Sequence, residues 1–110
     1  MKTLAILVFL IFLFPIIAFA AQIYGSLTEG GQPVRGVKVV IKCSSDQSYT
    51  GDTDNNGSYS VYVRENGRCS FTVYYQNQTA TADVYSYNDP VRYNFELVRQ
   101  PNGQYILQRR

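Results

Sequence analysis

The sequence predicts an all-β protein in which seven or eight short strands form a β-sandwich. Three observations support this prediction. Apolar and polar residues alternate with period two in almost every segment from Gln22 onward, and no segment shows helical periodicity. Turn-forming Gly, Pro, Asn and Asp residues separate these segments at the spacing typical of a sandwich. The chain also has ten Tyr but no His and no Trp, and tyrosine favours strands.

The first 20 residues differ from the rest of the chain. Met1-Lys2-Thr3 precedes an apolar run that continues to Ala21 and contains the small-x-small triplet Ala18-Phe19-Ala20. This pattern predicts a secretory signal peptide over residues 1–20, cut before Ala21. An uncleaved anchor is the alternative, since 18 apolar residues just span a bilayer, but Pro15 and the cleavage-type ending favour removal. We therefore expect a secreted or periplasmic domain over residues 21–110, without a stable membrane anchor.

A domain of this size has a small core, so a covalent link would help to stabilise it. Cys43 and Cys69 are the two cysteines of the chain, and in an exported protein an isolated pair predicts one disulfide. Both lie on the apolar phase of their segments, which predicts a bond that crosses the core. In the chain-entropy description this bond stabilises the domain by about 3.5 kcal/mol.

The alternation assigns the strands in order. The first four segments and their inward residues are Ile23–Leu27 (Ile23, Gly25, Leu27), Val37–Cys43 (Val37, Val39, Ile41, Cys43), a weaker segment at Gln47–Thr53, and Ser58–Arg64 (Tyr59, Val61, Val63). Glu65-Asn66-Gly67 then carries a strong hairpin signal. The later segments are Arg68–Tyr75 (Cys69, Phe71, Val73, Tyr75), Thr79–Tyr87, Val91–Leu97 with the clearest alternation, and Tyr105–Leu107.

Three blocks of this sequence carry a family resemblance. They are Ile23–Leu27 (IYGSL), Gly31–Val39 (GQPVRGVKV) and Thr53–Val61 (TDNNGSYSV). In this order and spacing the chain resembles a carboxypeptidase regulatory-like domain, of the transthyretin-like (prealbumin-like) class. The resemblance covers residues 22 to 75 and implies a Greek-key β-sandwich that serves as an accessory module beside other proteins, binding protein or carbohydrate.

Composition argues against catalysis and against nucleic acid as a partner. Enzymes of the transthyretin-like class use histidines, and serine or cysteine catalysis usually needs a histidine base, but the chain has none. Residues 21–110 contain nine Lys and Arg against eight Asp and Glu, which is no nucleic-acid footprint. We expect a protein that is not an enzyme and needs no cofactor.

The segment GDTDNNGSY at residues 51–59 matches part of a calcium loop. Asp52, Asp54 and Asn56 occupy positions 1, 3 and 5, and Gly57 occupies position 6, but position 12 is Val63 where the loop requires a bidentate Glu. The following residues alternate as a strand. The pattern therefore favours a turn, and a weak extracellular calcium site at these three side chains is the alternative.

Outward-facing tyrosines are the candidate ligand face. Tyr62, Tyr74, Tyr85 and Tyr87 lie on polar phases, with Tyr24 and Tyr49 as further members, and exposed phenol rings can stack on sugars or anchor protein contacts. The predicted hairpin places Tyr62 and Tyr74 on one face. The sequence thus predicts a binding module for a protein or carbohydrate. The alternative is a structural or assembly component of the cell envelope or surface that pairs through an edge strand.

Overall fold

A computed structural model describes residues 21–110, so the predicted signal peptide lies outside the described residues. The described part is all-β, with two sheets and no helix, which confirms the predicted all-β class. It has ten strands and not the predicted seven or eight, because it includes the two-residue strands β2 and β8. The strands are β1 (Ala21–Glu29), β2 (Gln32–Pro33), β3 (Lys38–Lys42), β4 (Ser48–Asp52), β5 (Ser58–Val63), β6 (Gly67–Tyr75), β7 (Gln78–Ser86), β8 (Val91–Arg92), β9 (Phe95–Arg99) and β10 (Tyr105–Arg109). Residues 21–110 accordingly contain no helix that could cross a membrane.

The first sheet is irregular and is built around the long strand β1. The first half of β1 pairs antiparallel with β5 and parallel with β8. Its second half pairs antiparallel with β2 and parallel with β9, and β10 extends the sheet beyond β9. One strand thus has a different pair of neighbours in each of its halves.

The second sheet is regular. It contains four strands in the order β4-β3-β6-β7, and each neighbouring pair is antiparallel. Its longest ladder joins β6 and β7 over nine residue pairs, from Gly67 opposite Ser86 to Tyr75 opposite Gln78.

The two sheets pack face to face, as in a β-sandwich. The predicted inward phases are confirmed, since Ile23, Leu27, Val39, Ile41, Val61 and Phe71 are fully buried. Phe71 of the second sheet lies between two rings of the first, 5.1 Å from the Tyr59 ring centre and 4.8 Å from that of Phe95. These aromatic contacts join the two inner faces at the centre of the core.

The Thr53–Tyr59 block has a structural role at each of its defining positions. The Thr53 hydroxyl accepts a buried hydrogen bond from the Val37 amide at 2.9 Å. Asp54 Oδ1 accepts from the amides of Asn56 and Ser58, and the Gly57 amide donates to the Asp54 carbonyl. Gly57 has φ = +75°, and a Cβ there would lie 2.6 Å from the Leu27 carbonyl oxygen. The segment is therefore a hydrogen-bonded turn that docks on β1.

The predicted hairpin at Glu65-Asn66-Gly67 is wrong. β5 belongs to the first sheet and β6 to the second, so this turn carries the chain from one sheet to the other. Turn residues specify a local change of direction, but hydrogen-bond partners elsewhere decide which strands pair. Here β1 pairs with β5, while β3 and β7 pair with β6.

The predicted disulfide forms, but it does not cross the core between the sheets. Cys43 and Cys69 are bonded to each other. Cys43 follows β3, and Cys69 lies in β6, immediately beyond the cross-strand pair Lys42–Ser70. The bond therefore links neighbouring strands of the second sheet. Their apolar phases fit this position too, because both side chains lie on the inner side of that sheet.

The clearest predicted strand, Val91–Leu97, is broken. β8 ends at Arg92 and β9 begins at Phe95, with Tyr93 and Asn94 between them. The alternation continues through the break, because Tyr93 is buried like Phe95. Alternation shows which side each residue faces, and it does not reveal that the ladder is interrupted.

Candidate functional site

The structure separates the four tyrosines of the predicted ligand face. Tyr62 is exposed on the outer side of the first sheet, whereas Tyr74 is exposed on the outer side of the second sheet. The expectation that these two rings share a face is therefore wrong, and the reason is the sheet-to-sheet turn between their strands.

Tyr85 and Tyr87 also lie apart from Tyr74, although Tyr74 and Tyr85 belong to the second sheet and Tyr87 directly follows β7. Tyr85 is opposite Arg68 and Tyr74 is opposite Thr79, at the two ends of the β6–β7 ladder. Six residues along a strand separate these ends by roughly 20 Å. Tyr85 and Tyr87 stack on each other with ring centres 6.5 Å apart. They form a small aromatic pair, and the predicted four-ring platform does not exist.

A different set of residues converges where β8 gives way to β9. Gly25 of β1 faces this break, and a Cβ at this position would lie 1.9 Å from the Tyr93 carbonyl oxygen. The backbones can approach this closely only because residue 25 has no side chain. The Tyr93 amide donates to the Tyr24 carbonyl at 2.8 Å, so the chain is held against β1 even where the ladder is interrupted.

The Asn94 side chain replaces the missing backbone acceptor. Its Oδ1 accepts hydrogen bonds from the Ser26 amide at 3.0 Å and from the Ser26 hydroxyl at 3.2 Å. Both bonds are part-buried and fix the plane of the amide. Among the described residues the Asn94 Nδ2 group makes no hydrogen bond, so its two N–H donors remain for other partners.

The break produces an open depression on the outer face of the first sheet, which we call the β1 depression. Its volume is about 400 Å³, and nine residues line it: Gln22, Tyr24, Gly25, Ser26, Ser58, Tyr59, Ser60, Arg92 and Asn94. Cross-strand pairing of Tyr24 with Ser60 and of Ser26 with Ser58 brings the β5 hydroxyls to its rim.

The β1 depression is rich in hydrogen-bond donors. Gln22 Nε2 donates to the Ser60 hydroxyl oxygen at 2.6 Å, which leaves the Ser60 proton free to donate elsewhere. The guanidinium of Arg92 lies 5.3 Å from the centre of the Tyr24 ring, in cation–π contact. Among residues 21–110, Arg92 makes neither an ion pair nor a side-chain hydrogen bond, whereas Arg68 and Arg110 are paired with Asp83 and Glu96.

Tyr59 supports the depression from the core side. Its ring is buried against Phe71, and its hydroxyl donates to the Tyr93 carbonyl. Burial raises the pKa of Tyr59 well above its ordinary value, and the neighbouring Tyr93 hydroxyl adds to the shift. Tyr59 therefore remains protonated, and it donates a hydrogen bond to the carbonyl group that approaches Gly25.

Tyr62 lines a second concavity, between the edge strands β4 and β5. Tyr49, Thr50 and Arg64 share it, and its volume is about 540 Å³. The Tyr49 hydroxyl donates to Glu65 Oε2 at 3.0 Å, and hydrogen bonds from Ser45 lower the pKa of Glu65. The carboxylate of Glu65 is therefore bonded to a tyrosine that lines this groove, whereas no carboxylate of residues 21–110 lines the β1 depression.

The predicted calcium candidates are not gathered into a site. Asp52 ends β4 opposite Lys38 on the outer face of the second sheet, and Asp54 uses its carboxylate to hold its own turn. Within the described range, no group of three or more His, Cys, Asp or Glu side chains is arranged to hold a metal ion. Asn56 contributes its backbone amide to the turn.

Comparison with known proteins supports the fold alone. No protein-family model and no curated protein matches the chain. A solved DUF3823 family protein from Parabacteroides merdae is similar in structure, with a TM-score of 0.56 and 12% identity over 84% of this chain. This chain spans about half, 48%, of that protein. A 9R-lipoxygenase from Cyanothece gives a TM-score of 0.41 and 12% identity, over 89% of this chain and 14% of its own.

The sequence identified exposed aromatic rings but missed the residues that converge. Tyr24 is only a further member of the predicted ligand face, and the sequence pattern does not indicate Arg92 or Asn94 as part of it. One signal was present: Gly25 interrupts an otherwise apolar inward phase, and a glycine inside a strand marks close backbone approach or a bulge.

Proposed function

We propose that this protein is an exported, non-catalytic binding module, and that its ligand, a carbohydrate, binds in the β1 depression. The observation that carries the proposal is the convergence of unsatisfied donors on one aromatic ring. Asn94, Ser60 and Arg92 line the depression together with Tyr24. The Arg92 guanidinium lies over the Tyr24 ring, and Ser60 is opposite Tyr24 across the β1–β5 ladder. A few placed polar groups beside an aromatic surface are the usual composition of a ligand site.

The proposed class is the carboxypeptidase regulatory-like, transthyretin-like sandwich with Greek-key connections. The three sequence blocks support it, because each has a structural role here. The first contains Gly25, which permits the close approach of Tyr93. The second contains Gly36, whose amide donates to the Thr53 carbonyl at 2.9 Å. The third forms the turn that docks on β1.

Export is supported by the Cys43–Cys69 disulfide, because such bonds persist in oxidising compartments. Secretion or release into a periplasm would follow cleavage of residues 1–20. N-terminal sequencing of the purified protein is expected to begin at Ala21. A start at Met1 in the mature protein would contradict removal of the signal peptide.

A glycan array that presents neutral and acidic saccharides tests the binding proposal. We expect the purified protein to bind a restricted set of glycans, and Tyr24→Ala to lose that signal. Tyr74→Ala is the matched control, because it removes an exposed ring from the opposite sheet. Absence of any glycan signal, or a signal that depends on Tyr74 and not on Tyr24, would contradict carbohydrate binding in the depression.

A second candidate function is assembly through an edge strand, and β7 favours it. β7 is nine residues long and lies at the edge of the second sheet. The Tyr85 amide donates a hydrogen bond to the Tyr93 hydroxyl, and that hydroxyl donates to the Tyr85 carbonyl. The backbone N–H and C=O groups of Tyr85 therefore point away from β6. The backbone N–H and C=O groups of successive residues point to opposite sides of a strand. Those of Thr79, Thr81 and Asp83 therefore also point away from β6. These groups are available for another strand.

Size-exclusion chromatography with light scattering tests this second function. Thr81→Pro removes one outward N–H and leaves the ladder with β6 intact. Assembly that is lost in Thr81→Pro but retained in Thr81→Val would support edge pairing, and a monomer at every concentration would contradict pairing between copies.

A further inference from the structure

We infer that the β1 depression recognises an acidic saccharide, and specifically a sugar ring that carries a carboxylate, with Arg92 as the residue that selects the acid. This inference rests on the proposed function, since it names the chemical class of ligand for the same site. Its basis is the balance of charge and hydrogen-bonding groups in the depression.

The first step is the charge of the site. Arg92 is the one charged side chain among the nine described residues that line the depression. It is exposed, and within residues 21–110 it contacts no carboxylate within ion-pair distance. Glu96, the one acidic residue of β9, is already paired with Arg110 at 2.9 Å. A ligand that enters therefore meets an uncompensated positive charge.

The second step is the orientation of that charge. The Tyr24 ring lies under the Arg92 guanidinium and restricts its position. A guanidinium is a planar fork that matches a carboxylate with two parallel hydrogen bonds, and such bonds are about twice as strong as those between neutral groups. An arginine held in this way loses less conformational freedom when it binds a carboxylate.

The third step is the excess of donors around the arginine. Asn94 Oδ1 is occupied by Ser26 and the Ser60 oxygen is occupied by Gln22, so both side chains have N–H or O–H groups left to donate. Ser58 adds a further hydroxyl at the rim. Ring and hydroxyl oxygens of a sugar accept from such donors. The depression is thus complementary to an acceptor-rich, negatively charged ring.

Isothermal titration calorimetry with three matched probes tests the inference. The probes are a trisaccharide of galacturonic acid, its methyl ester and the corresponding galactose trisaccharide. We expect the acid to bind at least tenfold more tightly than the ester or the neutral sugar, as a charge-assisted bidentate contact implies. Affinity for the acid should fall as salt is raised.

Variants of Arg92 test whether this residue is the source of the preference for the acid. Arg92→Gln should lower affinity for the acid at least tenfold and affinity for the neutral sugar by a smaller factor, because a glutamine amide still donates to a hydroxyl oxygen but carries no charge to pair with the carboxylate. Arg92→Lys keeps the charge but lacks the fork, so its loss should be intermediate. Arg99→Gln is the control, because Arg99 is an exposed arginine of the same sheet that does not line the depression. Its affinities should match those of the unmodified protein.

The outcomes separate this inference from the proposed function. Equal binding of acid, ester and neutral sugar, all lost in Tyr24→Ala, would overturn the acid selectivity and leave carbohydrate binding standing. Binding of tetraglutamate as tight as that of the uronate would overturn the choice of a sugar. Failure of all three saccharides would overturn the inference, and a silent glycan array would then overturn the proposed function as well.

Discussion

The two sheets of this domain differ in regularity, and the irregular one carries the candidate site. The second sheet is antiparallel throughout and is linked covalently at Cys43 and Cys69, with an outer face of alternating Lys, Ser, Thr and Tyr residues. The first sheet changes partners halfway along β1, and its ladder is interrupted opposite Gly25. At the interruption the Ser26 amide donates to the Asn94 side chain in place of a backbone carbonyl. The Asn94 Nδ2 donors then have no partner among the described residues.

The largest effect on stability is expected for a variant that removes the covalent link of the regular sheet and leaves the candidate site unchanged. The double variant Cys43→Ala, Cys69→Ala removes the link between β3 and β6, which closes a loop with a sequence separation of 26. We expect a loss of about 3.5 kcal/mol in the free energy of unfolding, measured by urea denaturation. Saccharide affinity below the transition should be unchanged. A loss of saccharide affinity in the folded variant would show that the disulfide of the second sheet also affects the ligand site on the first.

The next largest effect is expected for a variant that disrupts the packing of the irregular first sheet. Gly25→Ala places a methyl group against the Tyr93 carbonyl, where an ideal Cβ lies 1.9 Å from the oxygen. Strand β1 must then move away from the break, and we expect a loss of about 3 kcal/mol in stability together with loss of binding. Gly30→Ala is the control: it has φ = +58° and no neighbour within 4 Å, so it should cost about 1 kcal/mol through strain alone. Equal losses in the two variants would contradict the close-approach argument.

A smaller effect concerns the hydrogen bond beneath the break. Tyr59→Phe leaves the Tyr93 carbonyl without the phenol donor, and we expect a loss of about 1 to 2 kcal/mol. Tyr62→Phe, which removes a hydroxyl from an exposed ring of the same strand, should change stability by less than about 0.5 kcal/mol. Chemical denaturation of both variants measures the difference. Comparable values would show that the Tyr59 hydroxyl has no special role.

The pH dependence of stability follows from the same residue. The folded pKa of Tyr59 is raised, mainly by burial, so its stabilising contribution is present below the unfolded pKa near 10 and is lost as pH rises. Above pH 10 this group should remove about 1.4 kcal/mol of stability per pH unit. Tyr59→Phe should show a shallower decline. The remainder comes from groups such as Tyr75, whose pKa is raised by its hydrogen bond to Glu29, and Tyr105, whose pKa is raised by the nearby Glu29 carboxylate. Identical alkaline profiles would contradict this assignment.

The smallest effect on stability is expected for the loss of an exposed tyrosine ring, which can be compared between the outer faces of the two sheets. Tyr74→Ala removes an exposed ring from the regular sheet, and we expect its stability to change by about 0.5 kcal/mol or less and its saccharide affinity to stay the same. Tyr24→Ala should reduce affinity, because it removes both the stacking surface and the support of Arg92. Calorimetry on the two variants gives the contrast. A matching loss in Tyr74→Ala would mean that ligand recognition is not confined to the first sheet.

Much of the fold could be predicted from the sequence because alternation reports burial directly. The all-β class, the inward residues such as Phe71 and Val61, the turn at Asp54 and the cysteine pair are all present in the structure. Pairing could not be predicted in the same way. Glu65-Asn66-Gly67 has the residues of a hairpin, yet it joins two sheets, since the strand-pairing partners come from distant parts of the chain.

The candidate site depends on pairing and was therefore the harder part to predict. Outward phases correctly placed Tyr62, Tyr74, Tyr85 and Tyr87 in solvent, but exposure does not say which rings are neighbours. Arg92 and Asn94 reach Tyr24 and Ser26 only because β8 and β9 run parallel to β1 from almost 70 residues away. Such a contact has no local sequence signal beyond the glycine in β1.

We propose that the irregular face of the first sheet, and not the regular face of the second, binds the ligand. Two-dimensional ¹H–¹⁵N NMR during titration with the galacturonic acid trisaccharide tests this claim most directly. We expect the largest chemical-shift changes at the amides of Tyr24, Ser60 and Asn94, with none at residues 38–42 or 70–74. Shifts centred on the second sheet, or no shifts at any saccharide concentration, would contradict it.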